Sequence, residues 1–325
     1  MGKFIKNIIF FLAFFSVVYV IYLLVAIFIP KAFFLSPNLK SSRGGYAHSY
    51  ERFKELESNP NKEVLIIGSS HAYRGFDPRI LVPKKSSFNL GNSAQSPYVT
   101  YHLLKRNLDI IQPKKVVFEA YWGPLTSSSS SVESSIDVVS NKTIGVDEIE
   151  MILDQKNVLS FNSMNYSFIK SFIAPLDSSD IQTFPHDTYI SGGYVSKSSN
   201  EGYLKETNNL TFSEKKIEIN EYQLDYLVKC IALCKEKGVE FIAVRAPVMN
   251  EYIQSFDNFN QTSKFMDSLF NSHDVPYQDF CQTNVIELMQ LNSNQDFSDA
   301  HHLTQSGVEK FNRYWLENDE TGLFK

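Results

Sequence analysis

The longest apolar run of the chain lies close to its N-terminus. From Ile8 to Ile29 the sequence carries no charge and is long enough to cross a bilayer core of about 30 Å as a helix. A cleavable signal peptide would have a shorter apolar region followed by a small-residue cleavage site, and neither precedes Pro30. Residues 1–30 are therefore predicted to form a cytoplasmic tip and a single-pass anchor, with membrane contact through residues 8–29. The rest of the chain is expected on the extracytoplasmic side of the cell membrane.

Beyond the anchor, short apolar runs alternate with segments of helical spacing. Five runs have the length and composition of buried parallel strands, at residues 64–67, 87–90, 116–119, 239–244 and 275–280. Segments with helical spacing lie between or after them, at residues 99–111, 220–237, 258–271 and 307–316. This alternation predicts an α/β protein with a flavodoxin-like, three-layer, doubly wound sheet of about five parallel strands.

Two segments fall outside this alternation. Residues 31–61 contain scattered charge, proline and glycine, with only a weak helical pattern from Tyr50 to Leu56, and are predicted to be a stalk. Residues 126–219 begin with a serine-rich stretch and have no sustained period, which predicts an insertion or cap. The catalytic domain is then expected to span residues 62–325.

Composition excludes several classes of protein. The chain has 31 Lys and Arg against 36 Asp and Glu, a formal charge of −5. A nucleic-acid-binding protein usually has an excess of positive charge, so nucleic acid is not an expected partner. Three cysteines are too few for a disulfide framework. Cys230 and Cys234 are four apart in a helical pattern and are interpreted as core residues, with a redox-active pair as the alternative. Cys281 is interpreted as structural, and no cofactor is expected.

The first candidate for chemistry directly follows the first predicted strand. Ile67 is followed by Gly68, Ser69, Ser70 and His71, so a glycine turn can place a hydroxyl at the start of a helix, where free amides favour a developing negative charge. In an open parallel sheet, ligands collect at this carboxyl edge. Helix capping by one of the serines is the alternative interpretation.

The second candidate lies just before the last predicted helix. Asp299 and His302 are three residues apart, so the carboxylate can orient the imidazole while the imidazole faces Ser70, the arrangement of a base and its orienting group. Asp299 as a simple N-cap is one alternative. A zinc site built from His301, His302, Asp296 and Asp299 is another, although adjacent histidines rarely converge on one ion.

Together these two motifs resemble the SGNH/GDSL hydrolase superfamily. In that family the nucleophilic serine follows the first strand in a Gly-x-Ser turn, and an Asp-x-x-His motif lies near the C-terminus. Here the matching residues are Gly68 to Ser70 and Asp299 to His302. The resemblance covers roughly residues 62–124 and 220 to the end, and it implies a catalytic triad of Ser70, His302 and Asp299.

The resemblance also implies an oxyanion hole. The family's second block matches Phe88 to Ser93, so Ser70, Gly91 and Asn92 are the predicted donors. The third block normally carries an asparagine after the third strand, but this chain has Phe118 to Gly123 there without one, and Asn92 is the expected substitute. The candidate substrate-binding residues are Arg245, Glu119 and His71, where Arg245 could equally form a structural ion pair, with Glu119 as its possible partner.

The function implied by the resemblance is that of a serine esterase or O-acyltransferase. With an N-terminal anchor, the chain is similar to members that modify cell-envelope polymers, so its expected partners are an acylated envelope glycan and a membrane-bound O-acyltransferase. The alternative is a catalytically silent domain of this fold that binds glycan or serves as a scaffold in an envelope-modifying complex.

Overall fold

The structure is a computed structural model of the chain. It describes residues 2–324 except 30–37, 42, 46, 82–85, 129–130, 174–180, 182–183, 185 and 198–214. Parts of the predicted stalk and insertion therefore lie outside the described residues.

A five-stranded parallel sheet forms the centre of the domain. Its strands are β1 (Val64–Ile67), β2 (Ser87–Asn89), β3 (Lys115–Glu119), β6 (Glu240–Arg245) and β7 (Tyr277–Asp279). They lie in the order β2-β1-β3-β6-β7, and every neighbouring pair is parallel. Two further strands, β4 (Asp187–Ile190) and β5 (Tyr194–Lys197), pair as an antiparallel hairpin. The predicted five-strand α/β architecture is confirmed, and each predicted strand agrees with an observed one within two residues.

The helices are numbered in chain order. They are α1 (Gly2–Phe28), α2 (Ser49–Ser58), α3 (Ser70–Gly75), α4 (Pro78–Leu81), α5 (Pro97–Ile111), α6 (Trp122–Leu125), α7 (Val132–Asn141), α8 (Val146–Asp154), α9 (Val158–Ile173), α10 (Glu221–Glu236), α11 (Asn250–Gln254), α12 (Phe259–Ser272), α13 (Thr283–Leu288) and α14 (Gln305–Glu317).

The sheet is covered on both faces because its central strands are apolar throughout. In β1, Leu65 and Ile67 point into the core that includes residues of α5, α10 and α12. Val64 and Ile66 point into the opposite core, which includes residues of α3 and α14. Side chains alternate between the two faces of a strand, so a strand buried on both faces is a continuous apolar run. The carboxyl ends of the strands are thus left between two helical layers.

Helix α1 is, within the described residues, the one helix long and apolar enough to cross a membrane. It begins six residues earlier than the predicted span. Most of α1 is exposed, but Leu23, Ala26 and Ile27 near its C-terminal end are buried against Tyr166 of α9.

The C-terminal part of the predicted stalk packs against the domain and is not a stalk. Helix α2 buries Phe53 and Leu56 in the core beside β1. Its Arg52 is 1% exposed and donates to the backbone carbonyl oxygens of Gly91 and Gly193. A buried guanidinium that joins two loops makes α2 part of the α/β domain, which therefore begins before residue 62.

The predicted insertion contains regular structure that its sequence pattern did not indicate. Helices α7, α8 and α9 pack on one another, and the β4–β5 hairpin closes over the sheet beyond β2, where the Asn89 amide donates to the Gly192 carbonyl oxygen over 2.8 Å. Asp187 of β4 accepts two hydrogen bonds from Arg74 of α3, at 3.0 and 2.8 Å. The hairpin is therefore attached to the helix that carries Ser70.

Candidate active site

Ser70 lies in the tight turn between β1 and α3. Gly68 has a φ of +148°, and a Cβ there would lie 2.8 Å from Cβ of Glu119, so this turn requires glycine. Ser69 is the N-cap of α3, and its Oγ accepts a hydrogen bond from the His71 amide over 3.3 Å. The turn places Ser70 as the first residue of α3, at the carboxyl edge of the sheet.

The structure brings the three predicted triad residues into contact. The Ser70 Oγ lies 2.7 Å from Nε2 of His302, and Nδ1 of His302 lies 2.8 and 3.0 Å from the carboxylate oxygens of Asp299. With the proton on Nδ1 held by Asp299, Nε2 is free to accept the proton of Ser70. This is the hydrogen-bond order of a nucleophile, a base and its orienting group.

The Asp299 carboxylate is held in its ionised form. Its Oδ1 accepts hydrogen bonds from the backbone amides of His301, at 3.0 Å, and His302, at 2.7 Å. Burial of the carboxyl raises its pKa, but the nearby His302 and these hydrogen bonds outweigh burial and hold the pKa of Asp299 well below its usual range. Asp299 is therefore an anion at neutral pH.

A short, closed loop presents Asp299 and His302 to Ser70. An isolated antiparallel bridge joins Phe297 to Leu303 at the base of the loop, and the Ser298 amide donates to the His302 carbonyl oxygen over 2.8 Å. Asp296 is buried beneath this base, where it accepts from Lys310 Nζ over 2.7 Å. The zinc site predicted as an alternative is therefore wrong in including Asp296, which is an anchor of the loop.

A second polar network adjoins the triad. His71 is 4% exposed, with its ring stacked on Tyr121 at a centroid distance of 3.7 Å. Its Nδ1 lies 3.3 Å from Ser69 Oγ, and its Nε2 lies 3.3 Å from Nδ1 of His301. Burial, together with His302 and His301, lowers the pKa of His71 well below its usual value, so His71 is neutral and cannot hold an anionic substrate by charge.

Glu119 ends this network inside the protein. It is 2% exposed, and its Oε2 lies 3.3 Å from Ser69 Oγ. Burial raises the pKa of Glu119 to about 8, against smaller opposing effects of hydrogen bonds and of Arg245. Glu119 is thus predominantly protonated at neutral pH, and it reaches the site through Ser69 instead of facing the substrate as predicted.

Arg245 is an internal residue, so its predicted role in substrate binding is wrong. Its side chain is fully buried and donates through Nε to Oδ1 of Asp279 over 2.7 Å. The guanidinium also lies over the rings of Trp122 and Phe259, at 5.6 and 4.9 Å. The structural ion pair left open by the sequence is present, with Asp279 of the neighbouring strand β7 as the partner and not Glu119.

The predicted oxyanion hole is also altered. The Gly91 amide donates to Asn89 Oδ1 over 3.1 Å, and the Asn92 amide donates to the Gly68 carbonyl oxygen over 3.0 Å. Asn92 itself is 1% exposed, and its Oδ1 lies 3.1 Å from Ser49 Oγ. Neither backbone amide is free in this conformation. The predicted donors that remain are the Ser70 amide, in the first turn of α3, and the side-chain Nδ2 of Asn92, which is buried without a hydrogen-bond partner among the described residues.

A cleft of about 540 Å³ opens at Ser70. Residues of β-strand ends and of the insertion line it together, among them Ser70, Ser93, Tyr121, Val132, Glu133 and His301. Sequence reasoning missed Tyr121 as a site residue, although it comes directly after a strand end. The sequence also indicated His301 only as a metal ligand. Its contact with His71 joins two segments that lie far apart in the sequence, so no local pattern could reveal it.

Three histidines at this site have the geometry of possible metal ligands. One ring nitrogen from each of His71, His301 and His302 lies within 4.8 Å of the others. The zinc alternative included His301 and His302 but not His71, and a zinc site stays a prediction. A metal bound here would use the ring nitrogens of His302, the residue that also contacts Ser70.

The position of the site in the sheet agrees with the family resemblance. Ser70 follows the first strand of a five-stranded parallel sheet, and Asp299 and His302 precede the last helix. Membership of the SGNH/GDSL hydrolase superfamily stays a prediction from these motifs and their placement. The membrane-anchored branch of this superfamily stays a prediction.

Solved structures of SGNH/GDSL proteins were found among the structural neighbours. A GDSL-like lipase from Bacteroides thetaiotaomicron has 11% sequence identity and a TM-score of 0.42, covering 86% of this chain and 100% of its own. A candidate acylhydrolase from Bacteroides fragilis has 11% identity and a TM-score of 0.41, covering 82% and 94%. A lipase/acylhydrolase from Enterococcus faecalis has 10% identity and a TM-score of 0.37, covering 79% and 94%. With TM-scores below 0.5, these likenesses are weak.

Sequence comparisons add little to this. A protein-family model matches residues 196–321, which include Asp299 and His302 but not Ser70. The chain matches no curated protein.

Proposed function

We propose that this protein is a serine esterase or O-acyltransferase that acts on acyl esters of a cell-envelope polysaccharide or a related polymer. The observation that carries the proposal is the continuous contact from Ser70 through His302 to Asp299 at the floor of an open cleft. Such a contact activates a serine hydroxyl, which is a weak nucleophile on its own.

The reaction follows from the order of these contacts. His302 Nε2 takes the proton of Ser70 as its Oγ attacks the ester carbonyl, and Asp299 stabilises the imidazolium that forms. The tetrahedral oxyanion accepts a hydrogen bond from the Ser70 amide. His302 then returns the proton to the leaving alcohol, and an acyl-enzyme remains on Ser70. Water or a sugar hydroxyl attacks this ester in turn, with His302 again as base, which releases an acid or a new ester.

Helix α1 supports an envelope location. A helix of this length and apolar character holds the domain at a membrane, with the domain on the extracytoplasmic face, where acylated glycan is accessible. A membrane-bound O-acyltransferase that supplies acyl groups is the proposed partner.

Labelling with a fluorophosphonate probe tests the nucleophile. The wild-type chain is expected to react, and Ser70→Ala is expected to abolish labelling. Ser69→Ala is the matched control, since it removes the neighbouring hydroxyl and leaves the contacts among Ser70, His302 and Asp299 in place. A folded wild-type chain that does not label would support the catalytically silent scaffold. If Ser69→Ala lost labelling and Ser70→Ala kept it, the nucleophile would be Ser69 and the assignment of Ser70 would be wrong.

The acyl acceptor is tested by product analysis. The purified full chain is incubated with acetylated glycan, with and without a second, unacetylated glycan. Free acetate in both reactions indicates an esterase, whereas acetate found on the second glycan indicates transfer. Neither product should form with Ser70→Ala.

A further inference from the structure

Helix α9 has an inverted pattern of burial. Its buried face is mostly polar and consists of Ser160, Asn162, Ser163, Met164, Tyr166 and Ser167. Its exposed face is mostly apolar and includes Val158, Phe161, Phe168, Phe172 and Ile173. Phe172 is 72% exposed and Val158 is 68% exposed. A helix that borders water has the reverse arrangement, so this face requires an apolar neighbour.

Two inward polar residues of α9 have specific partners in the segment that follows α1. Asn162 donates through Nδ2 to the Asn38 carbonyl oxygen over 2.9 Å, and Ser163 Oγ accepts from the Lys40 amide over 3.1 Å. Because these polar groups are satisfied inside the protein, the orientation of α9 is specified, and its phenylalanines are held outward.

Helix α9 lies along the membrane helix. Tyr19 of α1 donates to Asn162 Oδ1 over 2.9 Å, and its ring stacks on Phe161 at 6.3 Å. Tyr19 is nine residues before Phe28, the end of α1, so at about 1.5 Å per residue the contact lies roughly 13 Å below that end. A span of about 20 residues that begins near Ile8 fills the hydrocarbon core almost to Phe28. The start of α9 is then at the depth of the lipid.

We propose that α9 is embedded in the outer leaflet of the bilayer, with its exposed apolar face in contact with lipid acyl chains. The inference rests on the proposed membrane anchorage by α1 and extends it, because the catalytic domain would then be held against the bilayer by two elements. Contact of this face with acyl chains is favourable because it removes the phenylalanine side chains from water. Lipid accounts for the exposed phenylalanines because the face is continuous with α1 through Tyr19.

This docking sets the position of the active-site cleft. Lys40 connects α9 to the cleft. Its backbone amide donates to Ser163 of α9, and its Nζ lies 3.0 Å from a carboxylate oxygen of Glu133. Glu133 lines the cleft of Ser70. The cleft wall is thus two contacts from α9. An embedded α9 would keep Ser70 close to the membrane surface, which favours acyl groups carried on membrane-attached molecules.

The test uses single introduced cysteines in the full chain. Cys230, Cys234 and Cys281 are buried free thiols, so labelling in the folded state reports the introduced site. Phe172→Cys and Val158→Cys sample α9, Phe14→Cys samples α1, and Leu288→Cys is the control, an apolar residue on α13 that is 64% exposed. Each is labelled with nitrobenzoxadiazole and reconstituted at low protein density in phosphatidylcholine vesicles containing doxyl-labelled acyl chains. Circular dichroism confirms that each variant is folded.

The label at 158 is expected to show blue-shifted emission and several-fold more doxyl quenching than the label at 288, approaching the label at 14. The label at 172, about 21 Å farther along α9 and so nearer the membrane surface, is expected to be quenched to an intermediate degree. Quenching at 14 with none at 172 and 158 overturns the embedding of α9 and leaves the anchor intact. A blue shift at 172 without quenching would show that protein covers the face, which also overturns the proposal. An unquenched label at 14 would overturn the anchorage itself. None of these outcomes depends on catalysis by Ser70.

Discussion

The Nε2 atom of His71 lies 3.3 Å from Nδ1 of His301, which joins two neutral imidazoles through one shared proton. Burial lowers the pKa of His301 to about 4, with a further contribution from His302. The network continues to Glu119 through Ser69. Ser69 Oγ donates to Glu119 Oε2 and lies 3.3 Å from Nδ1 of His71. Polar contacts therefore run without a break from an internal carboxyl to His301 in the cleft.

The raised pKa of Glu119 predicts a stability effect with a definite sign. Between the ordinary glutamate pKa of 4.5 and the folded value of about 8, the folded state holds a proton that the unfolded state has lost. Stability from this group is complete below pH 4.5 and is lost as the pH rises through 8. Glu119→Gln cannot ionise, so its melting temperature should fall less across this window. The slope for one proton is at most about 1.4 kcal/mol per pH unit.

Thermal unfolding of wild type and Glu119→Gln at half-unit pH steps measures this difference. Glu320→Gln provides a control, since Glu320 is an exposed carboxylate in the C-terminal segment. Parallel pH profiles for wild type and Glu119→Gln would contradict the raised pKa.

Asp299 and Asp296 are three residues apart and are expected to respond differently to the same change. Asp299→Asn removes the anion that holds the His302 tautomer and should lower kcat of the folded protein for an ester substrate by about 10⁴-fold, far more than any decrease in unfolding temperature explains. Asp296→Asn weakens the bonds to Lys310 and Ser306 and should destabilise the fold by about 1–3 kcal/mol. Folded Asp296→Asn should retain fluorophosphonate labelling.

Steady-state kinetics and thermal unfolding of the two variants separate these effects. If both variants lost activity only in proportion to their unfolded fraction, the orienting role of Asp299 would be wrong.

Gly91 is expected to be intolerant of a methyl group. A Cβ there would lie 2.7 Å from Cβ of Ala72 and 3.1 Å from the backbone oxygens of Gly68 and Ser69. Gly91→Ala should therefore displace the turn that carries Ser70, at a cost of about 1–3 kcal/mol, and should reduce labelling of the folded fraction. Gly75→Ala is the control, because its Cβ would meet only Ala246, at 3.7 Å. Equal melting temperatures and labelling rates for both variants would contradict this packing.

Zinc is expected to inhibit the proposed esterase reaction. The 3.3 Å separation of the His71 and His301 nitrogens is close to the distance between two ligands of a tetrahedral zinc ion with Zn–N bonds of about 2.0–2.1 Å. An ion that also bound His302 Nε2 would remove the base from Ser70. Added zinc should lower the rate of fluorophosphonate labelling, a chelator should restore it, and His301→Gln should weaken the inhibition.

The opposite response would favour the metal-dependent hydrolase. In that case a chelator would abolish ester hydrolysis by the purified chain, and hydrolysis would persist in Ser70→Ala when metal is added back.

Local pattern was enough to predict most of the fold. The strand from Val64 to Ile67 is apolar at every position and ends at a glycine, which specifies a buried parallel strand without knowledge of its neighbours. Helix α10 and the last helix likewise follow from their periodicity. By contrast, α9 contradicts the usual pattern, since its serines are inside and its phenylalanines outside. Its burial depends on α1 and on residues 38–41, which lie far away in the sequence.

The amino-acid sequence by itself predicted the long apolar helix and the alternating α/β architecture, because each is encoded by residues within a few positions of one another. The pairing of Ser70 with Asp299 and His302 was predicted from motifs that resemble one family. Only the tertiary structure decided the partner of Arg245, the engagement of the Gly91 and Asn92 amides, and the network from Glu119 to His301. These depend on which strand ends and loops meet in space, and burial then sets the charge that each group carries.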